Sequence, residues 1–212
     1  MKVGIIGSGI VGQTLASGFL QHGHEVMIGT REPAKLADWI QQHPGAQVGD
    51  SRQTAAFGEI VVLAVKGGAA GKALETAGRE NLAAKTIIDT CNPIADAPPD
   101  HAVLPFFTGP NESLMEQLQR DFPEAHFVKA FNSVGSPNMV NPPFAEPPTM
   151  FICGNNEGAK KKVAAILDQF GWETADMGTA EAARAIEPLC MLWCILGFTK
   201  NEWTHAFRLL HR

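Results

Sequence analysis
The chain has 212 residues, a formal net charge of −5, and 45% hydrophobic and 18% charged residues. That balance fits a soluble globular protein with a sizeable core, and its negative charge argues against nucleic acid or an anionic membrane as partner. The one basic run, Lys160-Lys161-Lys162, reads as a solvated helix face. No apolar run reaches the length of a membrane span, and an apolar strand at Val3 to Ile6 leaves no room for a signal peptide ahead of it. A cytoplasmic protein is therefore expected. The four cysteines, Cys91, Cys153, Cys190 and Cys194, show neither a CxxC nor a metal-ligand spacing. They read as free buried thiols, and no metal site is expected.

Taken in order, strands and helices alternate almost throughout. After the strand at Val3 to Ile6, Val11, Leu15 and Phe19 recur with helical spacing up to about Gln21, Gly23 ends that helix, and Glu25 to Gly29 forms a second strand. A helix from about Pro33 to His43 follows, then a short strand near Gln47 and Val48. Asp50 or Ser51 caps a brief helix to Phe57. The β-branched run Ile60 to Val65 has the pattern of a strand covered on both faces. A helix over about Ala69 to Gly78 leads to another buried strand, Thr86 to Thr90. From Cys91 to Pro110 the chain is rich in proline and turn formers and reads as an ordered loop over the binding face.

Asn111 is expected to cap a helix to about Phe122, with the next strand at His126 to Ala130 and a proline-rich loop over 131–148. A strand at Thr149 to Cys153, a helix capped by Asn155 or Asn156 and ending near Phe170, and a strand at Trp172 to Asp176 come next. The remainder, Thr179 to His211, reads as mainly helical with a break near Pro188 and a second start near Thr199. The apolar stretch Ala185 to Phe198 is expected to be buried, part of it against a second subunit in a homodimer. The alternation predicts an α/β fold with a doubly wound, mainly parallel sheet. It would form one domain over 1–212, in which 1–130 is an NAD(P)-binding Rossmann core and 131–212 completes the substrate cleft with a small C-terminal helical extension.

In such sheets ligands bind at the C-terminal ends of the strands. The first of these ends carries Gly7-Ser8-Gly9-Ile10-Val11-Gly12 between strand and helix, the order a dinucleotide fingerprint requires. Gly7 allows the tight turn, Gly9 lets a pyrophosphate approach the backbone, and Gly12 lets the helix pack close to the strand. The pyrophosphate then meets free N–H groups at the helix N-terminus. The second strand ends in Thr30, where an NAD-binding protein usually has a carboxylate, and beside it Arg31 offers a planar fork of donors suited to a phosphate. Lys35 adds a second cation. Charge-assisted hydrogen bonds of roughly 1.5–3 kcal/mol each favour NADP over NAD, with the competing possibility that Glu32 holds a ribose diol and Arg31 is solvated. Among the other strand ends, Ala64, Val65 and Lys66 face the cleft mouth, Lys66 either drawing an anionic ligand or lying in solvent. Asn92 and Asn132 either bond the nicotinamide side or serve their turns. Lys129 either faces outward from an edge or pairs with Asp89. The seven histidines are scattered and read as surface or capping residues.

Gly-Ser-Gly-Ile-Val-Gly at 7–12, Gly-Thr-Arg at 29–31 with Lys35, Val-Lys-Ala-Phe-Asn at 128–132 and Glu-Pro-Leu-Cys-Met-Leu-Trp at 187–193 together resemble the NADPH-dependent F420 reductase family. The same family supplies the oxidoreductase domain of the STEAP metalloreductases. The resemblance implies NADP-linked hydride transfer with a flavin or deazaflavin (F420-like) partner. It places Ser8 to Val11 on the pyrophosphate, Thr30, Arg31 and Lys35 on the 2′-phosphate, and Val65, Asn92 and Ala130 near the nicotinamide. Lys66 departs from the proline or apolar residue expected there. Two other functions fit the same fingerprint: a non-catalytic NADP-binding redox sensor, and a reductase of a small imine or carbonyl compound.

Overall fold
The computed structural model describes residues 1–210. Six parallel strands, β1 (Lys2–Ile6), β2 (Glu25–Gly29), β3 (Gln47–Gly49), β4 (Ile60–Leu63), β5 (Thr86–Asp89) and β6 (His126–Lys129), form one sheet in the order β3-β2-β1-β4-β5-β6. The helices between them are α1 (Ile10–Gln21), α2 (Ala37–Gln42), α3 (Ser51–Phe57), α4 (Ala70–Ala77), α5 (Arg79–Leu82) and α6 (Leu114–Asp121). Strand β4 is apolar along its length, and β1 and β5 are buried apart from the exposed Lys2, because helices cover both faces. Val3, Ile5, Val62, Ile88 and Val128 join α1 and the later helix α7 (Glu157–Gln169) on one side, and Ile6, Val61, Leu63 and Ile87 join α4 and α6 on the other. The reversal of strand order between β1 and β4 opens a crevice at their C-terminal ends, where ligands bind in sheets of this kind.

A second, two-stranded parallel sheet of β7 (Thr149–Ile152) and β8 (Glu173–Asp176) follows. It meets the main sheet where the Lys129 N–H donates to the Cys153 carbonyl at 3.0 Å. Asn156 caps α7 by accepting from the Ala159 N–H at 2.8 Å, and Asp50 caps α3 in a reciprocal box with Gln53. The expected cap at Asn111 is instead Ser113, whose hydroxyl accepts from the Glu116 N–H while the Glu116 carboxylate accepts from the Ser113 N–H. Asn111 is followed three residues on by Leu114 and has no partner for such a box. The expected helix from Pro33 to His43 divides into a 3-10 turn at Pro33–Leu36 and the shorter α2.

The last helix, α8 (Ala183–Lys200), runs through Pro188 without the expected break. Pro188 lies just beyond its first turn, where the missing N–H costs one bond. No second helix starts at Thr199. Asn201 ends α8 in a left-handed conformation at φ 56°, and residues 201–210 turn back over the protein without helical structure. Trp203 fills the notch at Gly197, where a Cβ would come within 2.2 Å of the indole, and His205 stacks on Trp193 at 5.0 Å. The Thr149 N–H then donates to the Phe207 carbonyl at 2.8 Å, and the Leu209 N–H to Thr149 Oγ1 at 3.0 Å. His211 lies outside the described residues.

Two further expectations change. The segment Ala180–Lys200 has a mean hydropathy of 1.3 over 18 residues, so a segment long and apolar enough by composition to span a bilayer does exist. Its inward side chains, Ile186, Cys190, Trp193 and the charged Glu187, are buried against the domain. Of the basic run, Lys161 and Lys162 are exposed. Lys160 is instead buried and ion-paired with Asp176 at 2.9 Å and Glu157 at 2.7 Å, because the period of α7 turns it toward β8.

Candidate active site
The glycine turn is shaped by close approach of backbone. Gly7 has φ 127°, and a Cβ there would lie 2.1 Å from the Ala64 carbonyl oxygen; one at Gly12 would lie 2.0 Å from the Gly7 oxygen. Gly9 differs, since a Cβ there would meet nothing within 4 Å and would project into open space. Helix α1 begins immediately after it with no side-chain cap, as is also true of α2, α4, α5 and α8. Its first-turn N–H groups and the positive end of its dipole are thus left to whatever enters the crevice. These residues fit a dinucleotide pyrophosphate.

A cavity of about 510 Å³ opens at this turn, lined by Gly7 to Gly9, Gly29 to Arg31, Ser51, Ala64 to Lys66, Lys72 and Thr76 among others. Its charged lining residues are Arg31, Lys66 and Lys72, with no carboxylate. Thr30 is buried and acts as a peg: its hydroxyl oxygen accepts from Ser8 Oγ at 2.9 Å and from the Glu32 N–H at 3.1 Å. The side chain therefore ties the glycine turn to the loop after β2. Arg31 is exposed beside it, while Lys35 stands outside the lining in an ion pair with Glu32 at 2.9 Å. That pair engages the Glu32 carboxylate, the one group after β2 that could accept from a ribose diol.

A second cavity of about 660 Å³ is lined by Gly9 to Val11, Ala64 to Ala69, Thr90 to Asn92, Ile94 to Asp96 and Phe107. The two share Gly9, Ala64, Val65, Lys66 and Ala69. The 93–107 segment is ordered over it by the Phe107 N–H donating to the Pro93 carbonyl at 2.9 Å and the Ala95 N–H to the Pro105 carbonyl at 2.8 Å. Lys66 is exposed between the cavities.

Asn92 and Asn132, at the ends of neighbouring strands, bond one another. Asn92 Nδ2 donates to the Asn132 carbonyl at 2.8 Å, and Asn132 Nδ2 donates to Asn92 Oδ1 at 3.1 Å and to the Ile186 carbonyl at 3.0 Å. Phe131 holds this turn at φ 61°, a left-handed backbone that non-glycine residues seldom adopt. Asn92 lines the second cavity, whereas Asn132 and the fully buried Ala130 line neither. The lining of both cavities comes from residues 6–107, and the 131–212 half meets it at one remove through the asparagine pair.

Beneath the asparagines lies a buried charge cluster. Lys129, 0% exposed, pairs with Asp89 at 2.7 Å and Glu187 at 2.9 Å and donates to the Cys91 carbonyl at 2.8 Å. Glu187 also accepts the Leu114 and Met115 N–H groups, each at 3.0 Å, at the N-terminus of α6. Burial opposes the ammonium charge, yet the two carboxylates outweigh it and raise the Lys129 pKa. The cluster ties β5, β6, α6 and α8 together, settling Lys129 as inward and paired. The neighbouring Cys91 thiol is held in its neutral form by burial and by Asp89, and burial pushes Cys153 up to about 12. Cys91, Cys153 and Cys190 are buried and Cys194 half-buried, all unpaired. None of the described histidines lines either cavity.

Sequence reasoning missed Ser51, Lys72 and Thr76 at the first cavity and Ile94, Asp96 and Phe107 at the second. Ser51 had a signal, since it follows the end of β3 at the same edge as the other strand ends; Lys72 and Thr76 reach the cavity from the exposed side of α4, a placement that depends on how the helix packs.

A family model described as coenzyme F420-dependent NADP oxidoreductase matches residues 2–93. A solved structure from Arthrobacter sp. FB24, itself only provisionally assigned as an F420-dependent NADP-reductase, is 33% identical, with a TM-score of 0.93 and 100% of both chains covered. The F420-dependent NADP reductase of Methanocaldococcus jannaschii is 28% identical over 207 residues, covering 91% of this chain and 90% of that protein. The rat metalloreductase STEAP3 is 28% identical over 188 residues; the match takes in 89% of this chain but 36% of the metalloreductase. The chain thus spans about a third of the length of the metalloreductases it matches.

Proposed function
The chain belongs to the family of coenzyme F420-dependent NADP oxidoreductases, and from that premise we propose that it transfers hydride between NADPH and a flavin, a deazaflavin of the F420 kind or a related electron acceptor. It is an NADP-dependent oxidoreductase. Held by the glycine turn and the first N–H groups of α1, bound NADPH would supply two electrons as hydride, with a solvent proton completing the reduction of the acceptor. The observation that carries the reading is the joining of two unlike cavities. One is cationic and sits at an uncapped helix N-terminus, the other is mostly apolar, and Gly9 and Ala64 to Lys66 form a wall common to both.

The residues divide the work. The Gly7 to Gly12 turn and the first N–H groups of α1 bind the pyrophosphate, and Arg31 meets the 2′-phosphate from the edge of the cavity. Thr30 holds the turn in place through Ser8, and Lys35 keeps Glu32 away from the phosphate. Ala64, Val65, Lys66 and Asn92 line the passage toward the acceptor. Ala130 and Asn132 support it from behind. Bringing two ring systems together in this way supplies proximity, which is worth roughly 7–11 kcal/mol of the barrier and needs no acid or base.

NADPH oxidation followed with FMN, FAD, F420 and ferric chelates tests the reading, and tight NADPH binding without turnover on any of them would leave a sensor in its place. Arg31→Ala should weaken NADPH by about tenfold to a hundredfold, from the roughly 1.5–3 kcal/mol of a charge-assisted bond, with little change for NADH. An equal loss for both cofactors refutes the role of Arg31. The cytoplasm is the proposed compartment. A homodimer is proposed through the outward side of α8, where Leu192 is 54% and Phe198 45% exposed; a monomeric mass in solution would exclude it.

A further inference from the structure
Two adjacent residues of α8 reach two adjacent residues at the end of β5, each through one side chain at or just beyond the end of β6. Glu187 pairs with Lys129 at 2.9 Å, and Lys129 Nζ donates to the Cys91 carbonyl at 2.8 Å. The Ile186 carbonyl accepts from Asn132 Nδ2 at 3.0 Å, and the same nitrogen donates to Asn92 Oδ1 at 3.1 Å. Both hydrogens of that amide are spent on oxygens, which fixes its orientation, and the return bond from Asn92 Nδ2 to the Asn132 carbonyl at 2.8 Å fixes that of Asn92. Asn132 itself is 4% exposed and lines neither cavity.

What it holds lies against the wall common to the two cavities. The Asn92 carbonyl oxygen sits 2.0 Å from where a Cβ at Gly67 would be, and the Cys91 thiol donates to the Val65 carbonyl at 3.2 Å. A shift of the Cys91–Asn92 strand end is therefore passed by direct contact to Val65 and Gly67, on either side of Lys66. The phosphate-binding groups hang on other tethers, since the glycine turn is tied through Ser8 to Thr30 and Arg31 follows β2. Building on the hydride-transfer reading, we propose that Asn132 is a positioning residue for that reaction. It anchors Asn92 to α8 and so sets the wall at which the two rings meet, without touching either. Its loss slows hydride transfer and leaves NADP affinity in place, because a misplacement of about 1 Å can cost on the order of a hundredfold in rate.

Single-turnover oxidation of NADPH by the full chain, with FMN and F420 as acceptors, tests this alongside calorimetric NADP⁺ affinity. NADPH deuterated on one or the other face of the nicotinamide adds a readout that stability alone does not move. Asn132→Ala should bind NADP⁺ within about twofold of wild type, transfer hydride about tenfold or more slowly, and deliver part of its deuterium from the wrong face. The Lys129 cluster still docks α8 in that protein; Asn132→Ser, which keeps one donor, should recover part of the rate and carries the same test if the alanine variant does not fold. In the Asn92→Ala background the second deletion should slow transfer by less than about threefold further, since one side chain acts through the other. Wild-type rate and facial selectivity in the Asn132 variants overturn the assignment, as does a loss confined to NADP⁺ affinity. Multiplying losses in the double variant refute action through Asn92. A wild-type protein that binds NADPH but reduces neither acceptor overturns the hydride-transfer reading and this inference with it.

Discussion

Replacing Lys129 by methionine keeps an unbranched stem of similar volume and removes the terminal ammonium with its charge and donors. In the folded protein this leaves Asp89 and Glu187, both fully or almost fully enclosed, without the ammonium that now lies 2.7 and 2.9 Å away. The N-terminus of α6 still faces Glu187 through two N–H groups, but the Cys91 carbonyl loses its donor at 2.8 Å. Breaking one partner out of a buried pair costs about 3–5 kcal/mol. With a urea m-value of about 2 kcal/mol/M, the midpoint of unfolding should fall by about 1.5–2.5 M at pH 7. Adding Asp89→Asn should recover part of the loss. Its amide oxygen can go on accepting the Cys91 N–H, which now bonds Oδ1 at 2.9 Å, while one uncompensated charge disappears. The raised pKa of Lys129 means that its stabilisation is fully present below the unfolded value near 10.5 and is withdrawn as pH rises through the higher folded value. A loss under about 1 kcal/mol for Lys129→Met, or a double variant no more stable than the single one, would show that the cluster does not hold β6 to α8 as described.

The glycines of the turn should separate fold from binding. Gly7→Ala requires a side chain at positive φ against the Ala64 carbonyl and should cost more than about 2 kcal/mol of stability. Gly9→Ala adds a Cβ that meets no protein atom within 4 Å, so its thermal midpoint should stay near wild type while NADPH affinity, measured by calorimetry, falls at least tenfold. Glu116 bonds Arg184 across α6 and α8, and that contact, assisted by Ser113, lowers its pKa to about 2. Its contribution is present above the unfolded value of 4.5 and lost as pH falls toward 2. Glu116→Gln should therefore flatten the stability profile over that window, read from denaturation midpoints at successive pH values, and an unchanged slope would refute the coupling.

Much of the fold was legible because local signals agreed: β-branched runs, helical spacing, and glycines between a strand and a helix all call for the same doubly wound sheet. What sequence did not reveal depended on partners distant along the chain. Lys129 has Asp89 as its partner on the adjacent strand, but Glu187 arrives from α8, and no spacing rule links them. Asn92 and Asn132 were each visible as strand-end residues, yet their bond to one another depends on the left-handed turn at Phe131. The segment after Thr199 carries apolar residues at spacings that suit a helix, and only the notch at Gly197 and the exposed backbone of β7 show where they go. At the site, the glycines and Arg31 announced themselves, whereas the contrast in charge between the two cavities emerged only when Lys72 and Asp96 were placed in space.

The return of residues 203–209 to β7 has a consequence for solubility. β8 occupies one side of β7, and its opposite side is held at Cys153 by Lys129 and at Thr149 by Phe207 and Leu209. Without that last segment, Thr149 would offer an unpaired N–H next to Met150 and Phe151 in a short β-prone strand. An open strand border of this kind invites another chain to pair with it. Loss of the segment should therefore appear first as self-association, with both ligand cavities still formed, because it touches neither of them.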